Sequence, residues 1–184
     1  MIGRLLRIMA LVAIGSAALW AATFGSFEQE IRQSVAGGYP LPDFRLPELD
    51  QGYFNGDTLF IGSEDLEGKV ALIAWWATWC GPCIDEQPSL LALQEEFGEA
   101  GLVVLGVLHR DSPERAWRWL QEHDRTTFRT VVGTPTLARE ARVGGLPNTV
   151  LVDRAGTVTE LFLGYWPERD AYLRAAVERL VESR

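Results

Sequence analysis

Apolar and polar positions divide the chain into three parts: a long apolar run, a short polar stretch and a strand–helix alternation. From Ile8 to Phe27 no residue is charged; Arg4 and Arg7 precede the run, and Glu28 and Glu30 follow it. About 20 apolar residues are enough to cross a hydrocarbon core as a helix. The run is hydrophobic all round, unlike the one-sided stripe of a helix packed on a core. Cations before it and acids after it predict a cytoplasmic N-terminus and an exported remainder. A cleaved signal peptide is the competing reading. Its small-residue site, ending at Ala18, would cut the run in the middle, whereas Trp20 and Phe24 suit the outer membrane interface. Residues 1–27 are therefore expected to be a signal-anchor. It would be a single pass through the inner (cytoplasmic) membrane, with the rest of the chain on the periplasmic side. Residues 28–42, which end in Gly37-Gly38-Tyr39-Pro40-Leu41-Pro42, read as a tether. Residues 43–184 read as one folded unit.

Within that unit, Phe44 to Leu49 and Leu59 to Ile61 are expected as short strands. Lys69 to Trp76 is a continuous apolar run of strand length, the pattern of a strand buried on both faces in a parallel sheet. A helix with Leu90, Leu91, Leu93 and Phe97 on its apolar side should follow, bent at Pro88. Leu102 to Leu108 repeats the buried-strand pattern. Asp111-Ser112-Pro113-Glu114 reads as a helix start capped by Asp111, with Trp117 and Leu120 on the inner face. Thr149 to Val152 and Thr157 to Leu163 flank the turn Asp153-Arg154-Ala155-Gly156 as an antiparallel hairpin. A last helix should begin at Pro167 and bury Leu173, Val177 and Leu180. The order β-α-β-α-β-β-α predicts an α/β fold with a central mixed sheet and helices on both faces.

Charge narrows the function. The net charge is −8, and two of the cations sit at the N-terminus, so the folded unit has no basic footprint for nucleic acid. The chain has only two cysteines, Cys80 and Cys83. A disulfide between them would close a loop too short to stabilise the fold much. A zinc site needs about four ligands. Only His109 and His123 could supplement the two thiols, and Met1 and Met9 lie outside the folded unit. No metal or cofactor is therefore expected.

The pair lies where the first buried strand gives way to a helix, in Trp79-Cys80-Gly81-Pro82-Cys83. Unsatisfied N–H groups and the positive end of the helix dipole favour a thiolate there. Proline suits the first helical turn, where its missing N–H is not needed. Cys80 is expected to be the exposed nucleophile and Cys83 the deeper, resolving thiol.

Ala74 to Cys83 resembles the active-site segment of thioredoxins. The flanks narrow this to the TlpA/ResA/DsbE-like branch. These are Leu41-Pro42-Asp43-Phe44-Arg45-Leu46, Leu66-Glu67-Gly68-Lys69-Val70, Glu86 three residues after Cys83, and Gly144-Gly145-Leu146-Pro147 before a strand. The resemblance covers residues 39 to 180, and Gly106-Val107 through Asp111 looks most like the DsbE branch. It implies a thioredoxin-like fold, with Pro147 as a cis-proline facing the cysteines and Glu86 as an acid exchanging protons beneath them. Trp79, Gly81, Pro82, Leu146 and Pro147 would meet the substrate. Partners implied are exported proteins with cysteine pairs, apocytochrome c foremost, and a membrane thiol–disulfide reductase as electron donor.

Two departures stand out. Asn148 replaces the acid of the usual Pro-Glu-Thr, removing a negative charge expected beside the substrate groove. Ala74 stands where thioredoxins have a buried aspartate. The expected function is reduction of exported disulfides. A general extracytoplasmic reductase or oxidant, and a non-catalytic binding module of the same fold, are the alternatives.

Overall fold

The computed structural model describes residues 38–125, 127–166 and 168–183. The apolar run at 8–27, the first part of the tether and Pro167 lie outside the described residues. Among the described residues no helix is long and apolar enough to cross a membrane.

The strands are β1 (Tyr39–Pro40), β2 (Arg45–Pro47), β3 (Phe60–Gly62), β4 (Val70–Trp76), β5 (Leu102–Leu108), β6 (Thr130–Val132), β7 (Asn148–Val152) and β8 (Thr157–Leu163). The helices are α1 (Gln51–Asn55), α2 (Gly81–Phe97), α3 (Pro113–Glu122), α4 (Pro135–Glu140) and α5 (Arg169–Glu182), with a 3-10 turn at Ser63–Leu66. Six strands form a mixed sheet in the order β1-β8-β7-β4-β5-β6, and β2 and β3 pair separately. β4 runs parallel to β5 and antiparallel to β7, which places it at the centre. Every β4 residue is buried, as its unbroken apolar run requires.

The parallel connections from β4 through α2 to β5, and from β5 through α3 to β6, bring both helices onto one face, since residues of both join a single core cluster. Leu90 and Leu93 of α2, Ala116 and Leu120 of α3, and Leu173, Ala176 and Val177 of α5 meet there. They pack with Val70, Leu72, Ala74 and Trp76 in one core cluster. The three long helices thus share a face. α4 lies in the return from β6 to β7, and its buried Leu137 and Ala138 stand outside that cluster. α2 runs through Pro88 without interruption.

A glycine makes room for the largest core ring. A Cβ on Gly106 would come within 2.7–3.0 Å of Thr130 Oγ1, the Phe128 ring and Trp76 Nε1. Trp76 and Phe128 are fully buried, with ring centroids 6.0 Å apart, and have nowhere to move. We expect Gly106→Ala to destabilise the fold by about 1–3 kcal/mol through overpacking. A denaturation midpoint unchanged from the parent protein would contradict this.

Several local expectations shift. The folded sheet begins at β1, inside the stretch read as tether, because Tyr39 pairs with Val158. Ser112, not Asp111, caps α3, its Oγ accepting from Arg115 N at 3.3 Å. Asp111 is occupied elsewhere, as described below. α5 begins at Arg169. α1, β6 and α4 are additions to the expected order. The hairpin turn forms as expected: Asp153 Oδ1 accepts from Ala155 N and Thr157 N, both at 2.9 Å, and Gly156 takes φ 77°. Arg154 at that turn donates to the carbonyls of Gly68, Ala100 and Val181 at 2.9–3.2 Å.

Candidate active site

The end of β4 delivers the chain to the start of α2, and Cys80 is the N-cap of that helix. Its carbonyl accepts from Cys83 N at 3.0 Å and Ile84 N at 3.2 Å. Its Sγ accepts from Cys83 N at 3.3 Å. A cap oxygen normally takes that N–H, so here a sulfur occupies the position where the helix offers its unsatisfied donors. Cys80 and Cys83 are joined as a disulfide.

The expectation of an exposed Cys80 above a deeper Cys83 is corrected. Both residues are buried, at 6% and 3% exposure, and both belong to the core cluster. The Cys80 sulfur is bonded to Cys83 and lies at the helix start, within reach of Cys83 N. Its neighbours Trp79, Gly81 and Pro82 remain exposed, so the disulfide sits in a recess among them.

Trp79 is 57% exposed, as the resemblance implied, and its Nε1 donates to Arg110 O at 3.1 Å. The peptide between Leu146 and Pro147 is cis. Leu146 is half-buried and packs on the cluster that holds both cysteines, while Pro147 is buried. Trp79 and Leu146 line one groove of about 490 Å³ together with His109, Arg110, Arg139, Gly144 and Gly145. Gly81 and Pro82 lie at the helix start outside that lining.

Asp111 braces the loop that leads to Cys80. Its Oδ2 accepts from Thr78 N at 2.7 Å and Thr78 Oγ1 at 2.5 Å, and its Oδ1 from Ser112 N at 2.8 Å. Burial would raise this carboxyl's pKa. The bonds from Thr78 and Ser112 and the charge of Arg115 outweigh burial and hold it below the ordinary value.

Glu86 lies one helical turn beyond Cys83, on the same side of α2. It is 2% exposed and accepts from Thr149 Oγ1 at 2.5 Å. Arg169, fully buried at the start of α5, places Nη1 2.9 Å from the same Glu86 oxygen. That contact is an ion pair without hydrogen-bond alignment, and none of the guanidinium nitrogens makes an aligned hydrogen bond among the described residues. Phe162 covers the guanidinium, its ring centroid 5.4 Å from Arg169 Cζ. Burial pushes the Glu86 carboxyl above the usual range, Arg169 and Thr149 pull it back, and Asp170 adds to the rise. A buried carboxylate poised in this way is a better proton acceptor for a thiol than a solvated one.

Asn148 does not stand beside the groove. It is fully buried, paired in register with Trp75, and neither amide atom has a partner among the described residues. Alternation along β7 sends Asn148 to one face and Thr149, toward Glu86, to the other. An acid at position 148 would point the same way, so the missing charge is a change in the core. Reasoning from sequence also left out Thr149, Arg169, Asp111 and His109. A cation in the first turn of α5 runs against the dipole preference, and that was the one signal marking Arg169. Thr149 was readable as the β7 position opposite Ala74, on the side of α2.

The chain matches the model of the AhpC/TSA family over residues 38–176. It is 32% identical over 128 residues to a protein of Pseudomonas aeruginosa named thiol:disulfide interchange protein DsbE, covering 69% of this chain and 66% of that one. It is 30% identical over 159 residues to the Escherichia coli protein of that name, covering 84% of this chain and 80% of that one. A crystal structure of a putative thiol:disulfide interchange protein DsbE from Chlorobium tepidum superposes with a TM-score of 0.70 at 25% identity. It covers 78% of this chain and 96% of that one. With a cysteine pair at a helix N-cap and a cis Leu146–Pro147 peptide, the chain belongs to the AhpC/TSA family, among its thioredoxin-like thiol–disulfide oxidoreductases.

Proposed function

We propose that the protein is a membrane-anchored reductant of disulfides in exported proteins, with apocytochrome c as the favoured substrate. The observation that carries the chemistry is the Cys80–Cys83 disulfide at the start of α2, next to exposed Trp79. Support for the substrate is the likeness to proteins named DsbE together with the DsbE-like segment from Gly106 to Asp111. Support for the location is the uncharged run from Ile8 to Phe27, with Arg4 and Arg7 before it.

In the reduced protein the Cys80 thiolate attacks one sulfur of the substrate disulfide. An S–S bond forms between Cys80 and the substrate, and the other substrate sulfur leaves as a thiolate and takes a proton. Cys83 gives up its proton, for which Glu86 is the nearest buried base along the helix, and attacks the Cys80 sulfur. The second substrate thiolate leaves. The substrate gains two electrons and two protons, and the protein is left with the Cys80–Cys83 disulfide seen here. A membrane thiol–disulfide reductase restores the dithiol.

Full-length protein carrying Cys83→Ala, expressed in its native cell, cannot complete the second attack. It should accumulate a thiol-sensitive covalent adduct in the membrane fraction with an exported protein that has a cysteine pair. Absence of any adduct, from this variant and from Cys80→Ser alike, would sink the reductant reading. Adducts only with proteins other than apocytochrome c would leave a general extracytoplasmic reductase.

A further inference from the structure

The groove lined by Trp79, the residue next to Cys80, is basic in a chain that is acidic overall. His109, Arg110, Arg139 and Arg142 all line it, next to Trp79 and Leu146, and among the described residues no carboxylate does. Arg110 and Arg139 are exposed and make no ion pair among the described residues. Arg142 stacks on the Tyr39 ring, 4.4 Å from its centroid. The carboxylate next in sequence to Arg110, Asp111, is turned inward and spoken for by Thr78, Ser112 and Arg115. His109 is held toward its neutral form by burial and by Arg110, so the positive charge of the groove comes from the arginines.

We infer that this groove selects substrates whose reacting cysteine is flanked by acidic side chains. The inference rests on the oxidoreductase reading and names the substrate class for that site. Any segment that brings a disulfide to Cys80 alongside Trp79 passes the guanidinium groups of Arg110 and Arg139, which make no ion pair among the described residues. Arginine forks donate paired hydrogen bonds to carboxylates, and a Cβ at Gly144 or Gly145 would meet open space, so the wall is low enough for a chain to approach. The net charge of −8 repels an acidic partner at long range, so the selection is local. It operates within a Debye length of about 10 Å at ~0.1 M salt.

The test uses full-length reduced protein and three peptides, each with one disulfide in a Cys-x-x-Cys segment flanked by aspartates, serines or lysines. Single-turnover rate constants are measured, with hydroxyethyl disulfide as an uncharged small disulfide. At ~0.1 M salt the aspartate peptide should react about tenfold or more faster than the lysine peptide, and the gap should close toward ~1 M salt. In the Arg110→Asn/Arg139→Ser variant the ratio should fall below about threefold, the residue of a local field with its sources removed. Asparagine is chosen at position 110 because it tolerates the φ of 53° found there. Equal rates for the three peptides, or a faster lysine peptide, with hydroxyethyl disulfide still reduced, would overturn the groove and leave the oxidoreductase standing. Failure to reduce any of the four disulfides would overturn both.

Discussion

Replacing Arg169 with methionine should cost the folded state about 3–5 kcal/mol at neutral pH, the scale on which a buried pair broken from one side destabilises. Arg169 is fully buried, its Nη1 lies 2.9 Å from Glu86, and the remaining carboxylate would have only Thr149 against it. Glu86→Gln should be costly for the converse reason, because it leaves the guanidinium buried without a countercharge. The double variant leaves neither charge alone, so its cost should be well short of the sum. Strict additivity would mean that the two groups are not coupled. The pH dependence has a defined sign. Burial raises the folded pKa of Glu86, so the native state holds its proton above the pH at which the unfolded chain releases it. Stability from this group is present below the ordinary carboxylate value and is lost as pH rises through the folded value. Without Arg169 the folded value climbs, and the loss should extend further toward neutral pH. Urea titrations of the parent and the Arg169→Met variant across that range would show it. The same titration of Cys83 reactivity separates positioning from bulk stability: Arg169→Met should shift the profile upward, and Arg169→Lys should restore part of it.

Cys80→Ser should abolish exchange, with a fall of at least about 10⁴-fold, the scale reached when a covalent nucleophile is removed. Cys83→Ala should instead complete one attack and stop. The contrast matters because burial alone no longer distinguishes the two thiols. What distinguishes them is the cap position: Cys80, not Cys83, sits where the first helical N–H groups point. Adduct formation by Cys80→Ser and none by Cys83→Ala would reverse the assignment.

Much of this was legible in the sequence because it depends on local pattern. The buried run of β4, the thiol–proline start of α2 and the hairpin turn each follow from neighbours in the chain. The cis-proline and the acid below the thiols were reached through resemblance. What escaped depends on partners far apart in sequence. Asp111 looked like a cap because its spacing fits one, yet a donor 33 residues away claims the carboxylate. Asn148 looked like a groove residue because it adjoins Pro147, but alternation along β7 turns it into the core. The short β6 and α4 lack the length that makes periodicity readable. The basic groove is invisible in a net charge of −8, since its cations come from two segments about thirty residues apart.

Arg154 has a consequence for engineering. The Asp153–Gly156 turn has the composition of a permissive surface loop. Yet its arginine ties together the chain leading into β4, the chain leading into β5 and the last turn of α5. An inserted tag or a circularly permuted terminus at that turn would unfasten three elements at once.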